Sequence, residues 1–360
     1  MNVDVNLGSR SYRIVVAAGA LATVGARLRE LKVGSRTALV RDAAVARLYG
    51  KTVTSSLESA GFSVVPIEVP EGEAAKTLGV AQHCWNELIA AGLDRTSTVV
   101  ALGGGAVGDV AGFAAATYMR GVNFVQIPTT VLAQVDASVG GKTAIDHPLA
   151  KNMIGAFYQP RLVVVDPAVA QTLPEREFRS GLAEIAKHGV VLEAEYFAEV
   201  ERDVKPLMAR ELGVLERIIG GSCRLKAAVV ERDEREAELR HVLNYGHTIG
   251  HALEAATKYE RFTHGEAVSL GMVAEARLAR RLGVADDETV SRQEKLLEAL
   301  GLPVRAGAID IEPVVGAMSR DKKAKDGRIP FVLAPRIGAF RLVYDVPMTE
   351  VRSVITSLGS

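Results

Sequence analysis

Arg240, Asn244, His247 and His251 follow one another at intervals of 4, 3 and 4 residues. Those intervals place side chains on one face of a helix. The composition suits binding chemistry, because imidazoles ligate metals or move protons while Arg and Asn hold anions and hydroxyls. The His247–His251 spacing resembles the zinc-protease pattern, yet Thr248 stands where that pattern needs a general-base Glu. Whether one metal takes both histidines stays open at this point. A solvated face is the plainer reading, but such faces favour Glu and Lys. A catalytic zinc takes about three protein ligands and keeps one position open. His264, just ahead of another helical stretch, offers a loop ligand, and GLAEIAKHG offers Glu184 and Lys187 one turn apart among apolar neighbours. Gly246 and Gly250 each cost a helix roughly 1 kcal/mol relative to Ala, which predicts a close neighbour there.

Two glycine-rich stretches bear on anion binding. VVALGGGAVGDVAGF, residues 99–113, sets Gly103, Gly105 and Gly108 in a G-x-G-x-x-G frame between a strand-like and a helix-like segment. Missing side chains let a pyrophosphate approach the helix N-terminus; a tight turn needing positive φ explains the glycines equally well. The stretch comes late among the strands and has no acid about 20 residues on to hold a ribose. Asp42, directly after TALV, is the substitute candidate, with N-capping as its alternative. SVGGKTAIDH looks like a phosphate loop, but Asp136 occupies the place of that motif's first glycine. Lys142 and Lys151 remain as cations near this stretch, where solvated lysines are the ordinary case.

The elements that must position these residues divide the chain. Up to about Asp166, β-branched runs (YRIVVA, TALV, FSVVPIEV, STVVAL, NFVQIP, RLVVV) alternate with helix-like segments, which predicts an α/β domain with a mainly parallel sheet. After TLPERE, i, i+3, i+4 periodicity dominates and predicts a mostly α-helical second half. The expected domains are 1–173 and 174–360. At 360 residues and 48% apolar the chain is long enough for two cores. Lys+Arg and Asp+Glu number 43 each, so no global field favours nucleic acid or an anionic membrane surface. Cys84 and Cys223 show no Cys-x-x-Cys spacing and read as buried fillers in a reducing compartment. The N-terminus lacks a signal-peptide core, and Asp109 breaks the longest apolar stretch, so a cytoplasmic protein is expected.

Taken together, PEGEAAK, GGGAVGDVAGFAAATYMRG, IPTTVLAQVDASVGGKTAIDHPLAKNMIGAFYQP, TLPEREFRSGLAEIAKHG, LNYGHTIGHALEA, HGEAVSLGM and DKK resemble the 3-dehydroquinate synthase family, in that family's order from about residue 70 to 325. The resemblance implies a Rossmann-like NAD-binding N-terminal domain, a helical C-terminal domain with a divalent metal (zinc or cobalt), an active site in the cleft between, and a homodimer. It assigns the metal to Glu184, His247 and His264. It assigns NAD contacts to Asp42, Glu73, Lys76, Gly104, Gly105, Asp109, Thr129 and Thr130. Catalytic substrate contacts fall on Lys142, Lys187, Lys226, Arg240, Asn244 and His251; further substrate contacts fall on Arg120, Asp136, Lys151, Asn152, Lys322 and Lys323. His251 thus becomes a substrate-side group beside a metal ligand. His188 replaces the family's frequent Tyr, and Glu238 a frequent Gly; an outward-facing His188 is expected.

The family's substrate, 3-deoxy-D-arabino-heptulosonate 7-phosphate, carries a carboxylate and a phosphate, which accounts for local cations in a neutral chain. In the implied reaction a ring hydroxyl is oxidised, phosphate leaves, the hydride returns, the ring opens and an aldol step closes the carbocycle of 3-dehydroquinate. Cyclases acting on substrates without the carboxylate have less use for Lys226, Arg240, Asn244 and His251 together. An aminodehydroquinate synthase is the near alternative. A metal-dependent polyol dehydrogenase predicts net NADH. A non-catalytic NAD-binding regulatory protein has no need of the metal and phosphate sets.

Overall fold

The computed structural model describes residues 1–318 and 329–359. They form two compact units, Met1–Leu173 with Leu215–Arg235, and Pro174–Val214 with Glu236–Ser360. The chain first changes unit at residues 173 and 174, and the 215–235 stretch returns to the first, so one cut does not describe the division. The return has a local cause. The Leu212–Arg232 helix is tied to the first unit by the Cys223 thiol on the Gln134 carbonyl (3.2 Å) and by Lys226 on Asp136 (2.7 Å). Periodicity marks a helix, not the unit on which it packs.

The first unit is built on strands β1 (Asn2–Val5), β2 (Tyr12–Val16), β3 (Arg36–Arg41), β4 (Ser63–Glu68), β5 (Thr98–Gly103), β6 (Asn123–Pro128) and β9 (Leu162–Val165). Their order is β1-β2-β9-β6-β5-β3-β4; β1 pairs antiparallel with β2, and the other pairs are parallel. Side chains alternate between two cores, one on each face. Ala38, Val40, Val99, Ala101 and Phe124 enter one, and Leu39, Val100, Leu102, Val125 and Ile127 the other. From β3 the chain winds outward to β4, then returns to place β5 on the opposite side of β3. The carboxyl ends of β3 and β5 therefore flank the switch point at which open α/β sheets bind ligands.

The residues after the GKT stretch form an antiparallel hairpin, β7 (Lys142–His147) and β8 (Ala150–Phe157), where no strand is evident from composition. The Gly105–Thr117 helix lies against it, with Gly112 leaving no room for a Cβ beside Phe124 (3.0 Å). Both cysteines are buried, and burial pushes each thiol up to about 12.

The second unit is mostly helical, as its periodicity predicts. Its longest helices are Glu175–Leu192 and His264–Arg281, with His247–Ala256 packed on the latter. Its only strands among the described residues are β10 (Phe331–Leu333) and β11 (Arg341–Val343), an antiparallel pair. No helix among the described residues is long and apolar enough to cross a membrane.

Candidate functional site

In the second unit Glu184, His247 and His264 converge, each offering a ligand atom within 4.8 Å of the others. Glu184 comes from the middle of the Glu175–Leu192 helix, and each histidine is the first residue of its helix. Both helix starts are firmly set. Gly246, in the left-handed region at φ +77°, caps the His247 helix and donates its N–H to the buried Glu275 carboxylate at 2.7 Å. Thr263 caps the His264 helix in a capping box with Glu266, and Arg176 grips that Glu266 through two hydrogen bonds of 2.9 and 2.6 Å. Burial opposes the Glu266 charge, but Arg176 and Thr263 outweigh it and hold its pKa below the ordinary value. The close approach expected at Gly246 and Gly250 is the His264 helix: a Cβ on Gly250 would lie 2.9 Å from the Ala267 carbonyl, and one on Gly271 would strike the Gly246 carbonyl.

Two imidazoles and a carboxylate suit zinc or cobalt. Orientation tests the fit further. His247 Nε2 lies 3.4 Å and His264 Nε2 3.8 Å from the same Glu184 oxygen, Oε1. His247 Nδ1 meets the Tyr245 carbonyl at 3.0 Å, and His264 Nδ1 faces the Glu254 carboxylate at 3.5 Å. The Tyr245 carbonyl can only accept, so Nδ1 of His247 carries the proton and its Nε2 lone pair faces Glu184. Metal-ligating histidines are oriented in this way. Enclosure lowers the His264 pKa, but Glu184 and Glu254 outweigh it and raise it to about 10. The site therefore favours positive charge, and a divalent ion held by these three residues would take the place of that proton.

Lys187 is buried with Glu184, pairs with it, and donates to the Leu243 carbonyl at 2.8 Å, which places the pair deeper than a surface salt bridge. His188 is 0% exposed, so the expectation that it faces outward is wrong. The Glu175–Leu192 helix is buried on every side from Ser180 to Val191, leaving no outward face there. The single helical stripe from Arg240 to His251 also needs correction. Arg240 and Asn244 lie in a 3-10 turn, Leu239–Asn244, and the α-helix starts only at His247, because Gly246 at φ +77° breaks the run. Arg240 is buried, and Asn244 sits 3.5 Å from Glu236 and from His241. His251 stands beside both histidine ligand candidates, with ring centroids 5.1 Å from His247 and 5.8 Å from His264.

In the first unit the glycine turn joins β5 to the Gly105–Thr117 helix. None of Gly103, Gly104, Gly105 or Gly108 has positive φ. Space, not φ, favours them: a Cβ on Gly104 would come within 3.3 Å of Thr130, one on Gly105 within 3.2 Å of Ala137, and one on Gly108 within 2.8 Å of the end of the Gln126 side chain. The turn exposes first-turn amides suited to a pyrophosphate. Thr129 donates its N–H to the Gly103 carbonyl at 2.9 Å, and Thr130 Oγ accepts from the Ala133 N–H at 3.1 Å. Asp42, at the end of neighbouring β3, caps the next helical turn by accepting the Val45 N–H at 2.8 Å.

Lys76 is the centre of a second cluster. It is buried, 2.8 Å from Asp109, 3.7 Å from Glu73 and 4.0 Å from Asp146, and its Nζ donates to Asn152. Burial opposes its charge, but Asp109, Glu73 and Asp146 outweigh it and raise its pKa. Burial lifts Asp109 to about 6 against the pull of Lys76. Lys151 reaches Glu73 at 3.3 Å. Lys142 opens β7 and is exposed. Asp136 and Lys226 form a separate pair in this unit, the lysine bonding both the Asp136 carbonyl (2.5 Å) and carboxylate (2.7 Å). Arg120 is exposed in a turn where Met119 (φ +50°), Arg120 (φ +66°) and Gly121 (φ +118°) all have positive φ. Lys322 and Lys323 lie outside the described residues.

Three contributors escaped the sequence reading. Glu254 follows His251 by three residues, a helical spacing that flags it once the helix is known. Tyr245 acts through its carbonyl, which no residue type advertises. Asp146 lies within the quoted SVGGKTAIDH stretch, but neither its type nor its spacing there marks it as a partner of Lys76 and Asn152.

Residues 66–180 match the 3-dehydroquinate synthase N-terminal family and residues 181–324 the 3-dehydroquinate synthase C-terminal family. The chain is 52% identical over 352 residues to a 3-dehydroquinate synthase of Geobacter metallireducens, covering 98% of each chain. Among solved structures, a 2-epi-5-epi-valiolone synthase from Streptomyces hygroscopicus subsp. jinggangensis 5008, with NAD+ and Zn2+ bound, is 28% identical with a TM-score of 0.89, covering 98% of each chain. A 2-deoxy-scyllo-inosose synthase complexed with carbaglucose-6-phosphate, NAD+ and Co2+ is 26% identical with a TM-score of 0.90, covering 99% of this chain and 100% of that one. With residues 66–324 matched by the two family models and a relative 52% identical across 98% of the chain, the chain belongs to the 3-dehydroquinate synthase family.

Proposed function

We propose that the chain is a 3-dehydroquinate synthase, converting 3-deoxy-D-arabino-heptulosonate 7-phosphate to 3-dehydroquinate and phosphate. The observation that carries this reading is the 52% identity to a 3-dehydroquinate synthase over 98% of both chains. When bound, NAD supplies a hydride acceptor that is restored within each turnover, and a divalent cation supplies Lewis acidity at the hydroxyl being oxidised. Glu184, His247 and His264 hold the cation, and Glu254 and the Tyr245 carbonyl orient the two imidazoles. The glycine turn with Thr129 and Thr130, the Glu73–Lys76 loop with Asp109, and Asp42 hold the dinucleotide. Lys142, Lys151, Asn152, Lys187, Lys226, Arg240, Asn244 and His251 bind the substrate's anionic and hydroxyl groups, with Arg120, Asp136, Lys322 and Lys323 in the same set. Charged hydrogen bonds from such groups are strong where water is excluded, which suits a substrate with two anionic ends.

A cytoplasmic homodimer belongs to the same reading. The hairpin of the first unit supports the dimer, because Leu149 (89% exposed), Met153, Ile154 and Phe157 present apolar surface along it. The test of function is to supply the heptulosonate phosphate, NAD and zinc, and to follow phosphate release together with absorbance of reduced cofactor. Stoichiometric phosphate without accumulation of NADH, abolished by a chelator, is expected. Net NADH, or no turnover, contradicts the reading.

A further inference from the structure

Asp146 is in none of the ligand, cofactor or substrate sets named above, yet it joins two of them. Its main-chain N–H donates to the Lys76 carbonyl at 2.7 Å, and its Oδ1 accepts the Asn152 N–H at 2.9 Å. Lys76 Nζ in turn donates to the Asn152 side-chain oxygen. These contacts close a ring through Lys76, Asp146 and Asn152.

The ring sits where the hairpin is irregular. The β7–β8 register shifts between Ile145 and His147, the kind of bulge that re-aims a strand end. Asn152 adopts φ +57°, a left-handed conformation that Asn tolerates better than most residues but that its surroundings must still hold. The ionic partner of Lys76 is chiefly Asp109, at 2.8 Å, whereas Asp146 stands off at 4.0 Å. The Asp146 carboxylate is therefore engaged mainly as an acceptor for the Asn152 amide.

We propose that Asp146 is a positioning residue: by fixing the left-handed turn at Asn152 it presents Lys151 and Asn152 to an anionic group of the substrate. The proposal rests on the reading above that Lys151 and Asn152 contact substrate.

Two variants test it, Asp146→Ala and Asp146→Asn, in steady-state kinetics with the heptulosonate phosphate at saturating NAD and zinc. Loss of one well-placed hydrogen bond is expected to raise KM about tenfold in Asp146→Ala with kcat within about threefold of the parent. Asp146→Asn keeps an acceptor oxygen and is expected to restore KM to within about threefold of the parent. Unchanged KM in Asp146→Ala overturns the proposal. So does an Asp146→Asn variant as impaired as Asp146→Ala, because charge would then be the feature that matters. Amide hydrogen exchange at Asn152 supplies a readout independent of turnover: faster exchange in the Ala variant and parental exchange in the Asn variant are expected, and equal exchange in all three overturns it. A parent protein inactive on this substrate contradicts the functional reading, while the exchange measurement still decides the role of Asp146.

Discussion

The histidine site of the second unit and the lysine-centred cluster of the first both place charge out of water, but they hold it differently. Around Glu184 the ligand candidates sit in a helix middle and at two helix starts, each start fixed by hydrogen bonds between its main-chain N–H groups and side chains: Gly246, at φ +77°, on Glu275, and Thr263 with Glu266 in the capping box. Around Lys76 the partners come from a 3-10 turn, a helix and the two strands of a hairpin, and charged side chains make most of the contacts, with main-chain N–H groups of Asp146 and Asn152 adding two hydrogen bonds. A metal needs its ligands within tenths of an ångström, so its ligands are built on rigid elements. A flexible dinucleotide tolerates an adaptable polar network. The difference predicts abrupt loss of binding on backbone changes in the second unit and graded loss on side-chain changes in the first.

The largest effect is expected for Glu184→Gln, which removes the only carboxylate of the ligand set. Affinity for zinc, measured by chelator competition, is expected to fall more than about a hundredfold. A fall no greater than that of a Lys76→Met variant would erase the contrast; that variant is expected to weaken NAD and leave zinc unchanged. Next is Gly271→Ala, whose added methyl meets the Gly246 carbonyl. Overpacking of this kind costs about 1–3 kcal/mol, so a lowered Tm and weakened zinc binding should appear together. A lowered Tm with parental zinc affinity would separate helix packing from the site. Thr263→Ala removes one cap and is expected to lower unfolding free energy by about 1 kcal/mol in a denaturant titration.

The smallest effect concerns pH. Because the Glu266 pKa is depressed in the folded state, its contribution is complete above the ordinary carboxylate value of about 4.3 and is lost as pH falls through the lower folded value. Glu266→Gln should therefore be less stable than the parent at neutral pH, with the gap closing in acid. A gap independent of pH would assign Glu266 a packing role instead.

Much of this was legible from residue types. β2 to β6 and β9 announce themselves as β-branched runs between turns, and the helical half by its periodicity. The hairpin did not, because β8 exposes Met153, Ile154 and Phe157 and so lacks the alternation of a half-buried strand. The stripe from Arg240 to His251 pointed to one locality, but interval counting cannot see that Gly246 ends one helical run and begins another. His188 was misjudged because burial on all sides of a helix depends on neighbours distant in sequence. The acid expected about 20 residues after the glycine turn is absent, but Asp42 stands at the end of the adjacent strand, since β3 pairs with β5.

The central claim is the division of roles between two histidines four residues apart. Zinc content per chain, measured after dialysis of the parent, His247→Ala and His251→Ala proteins, tests it most directly. The account predicts one tightly bound ion in the parent and in His251→Ala, and none in His247→Ala. Equal loss of zinc from both variants would contradict it.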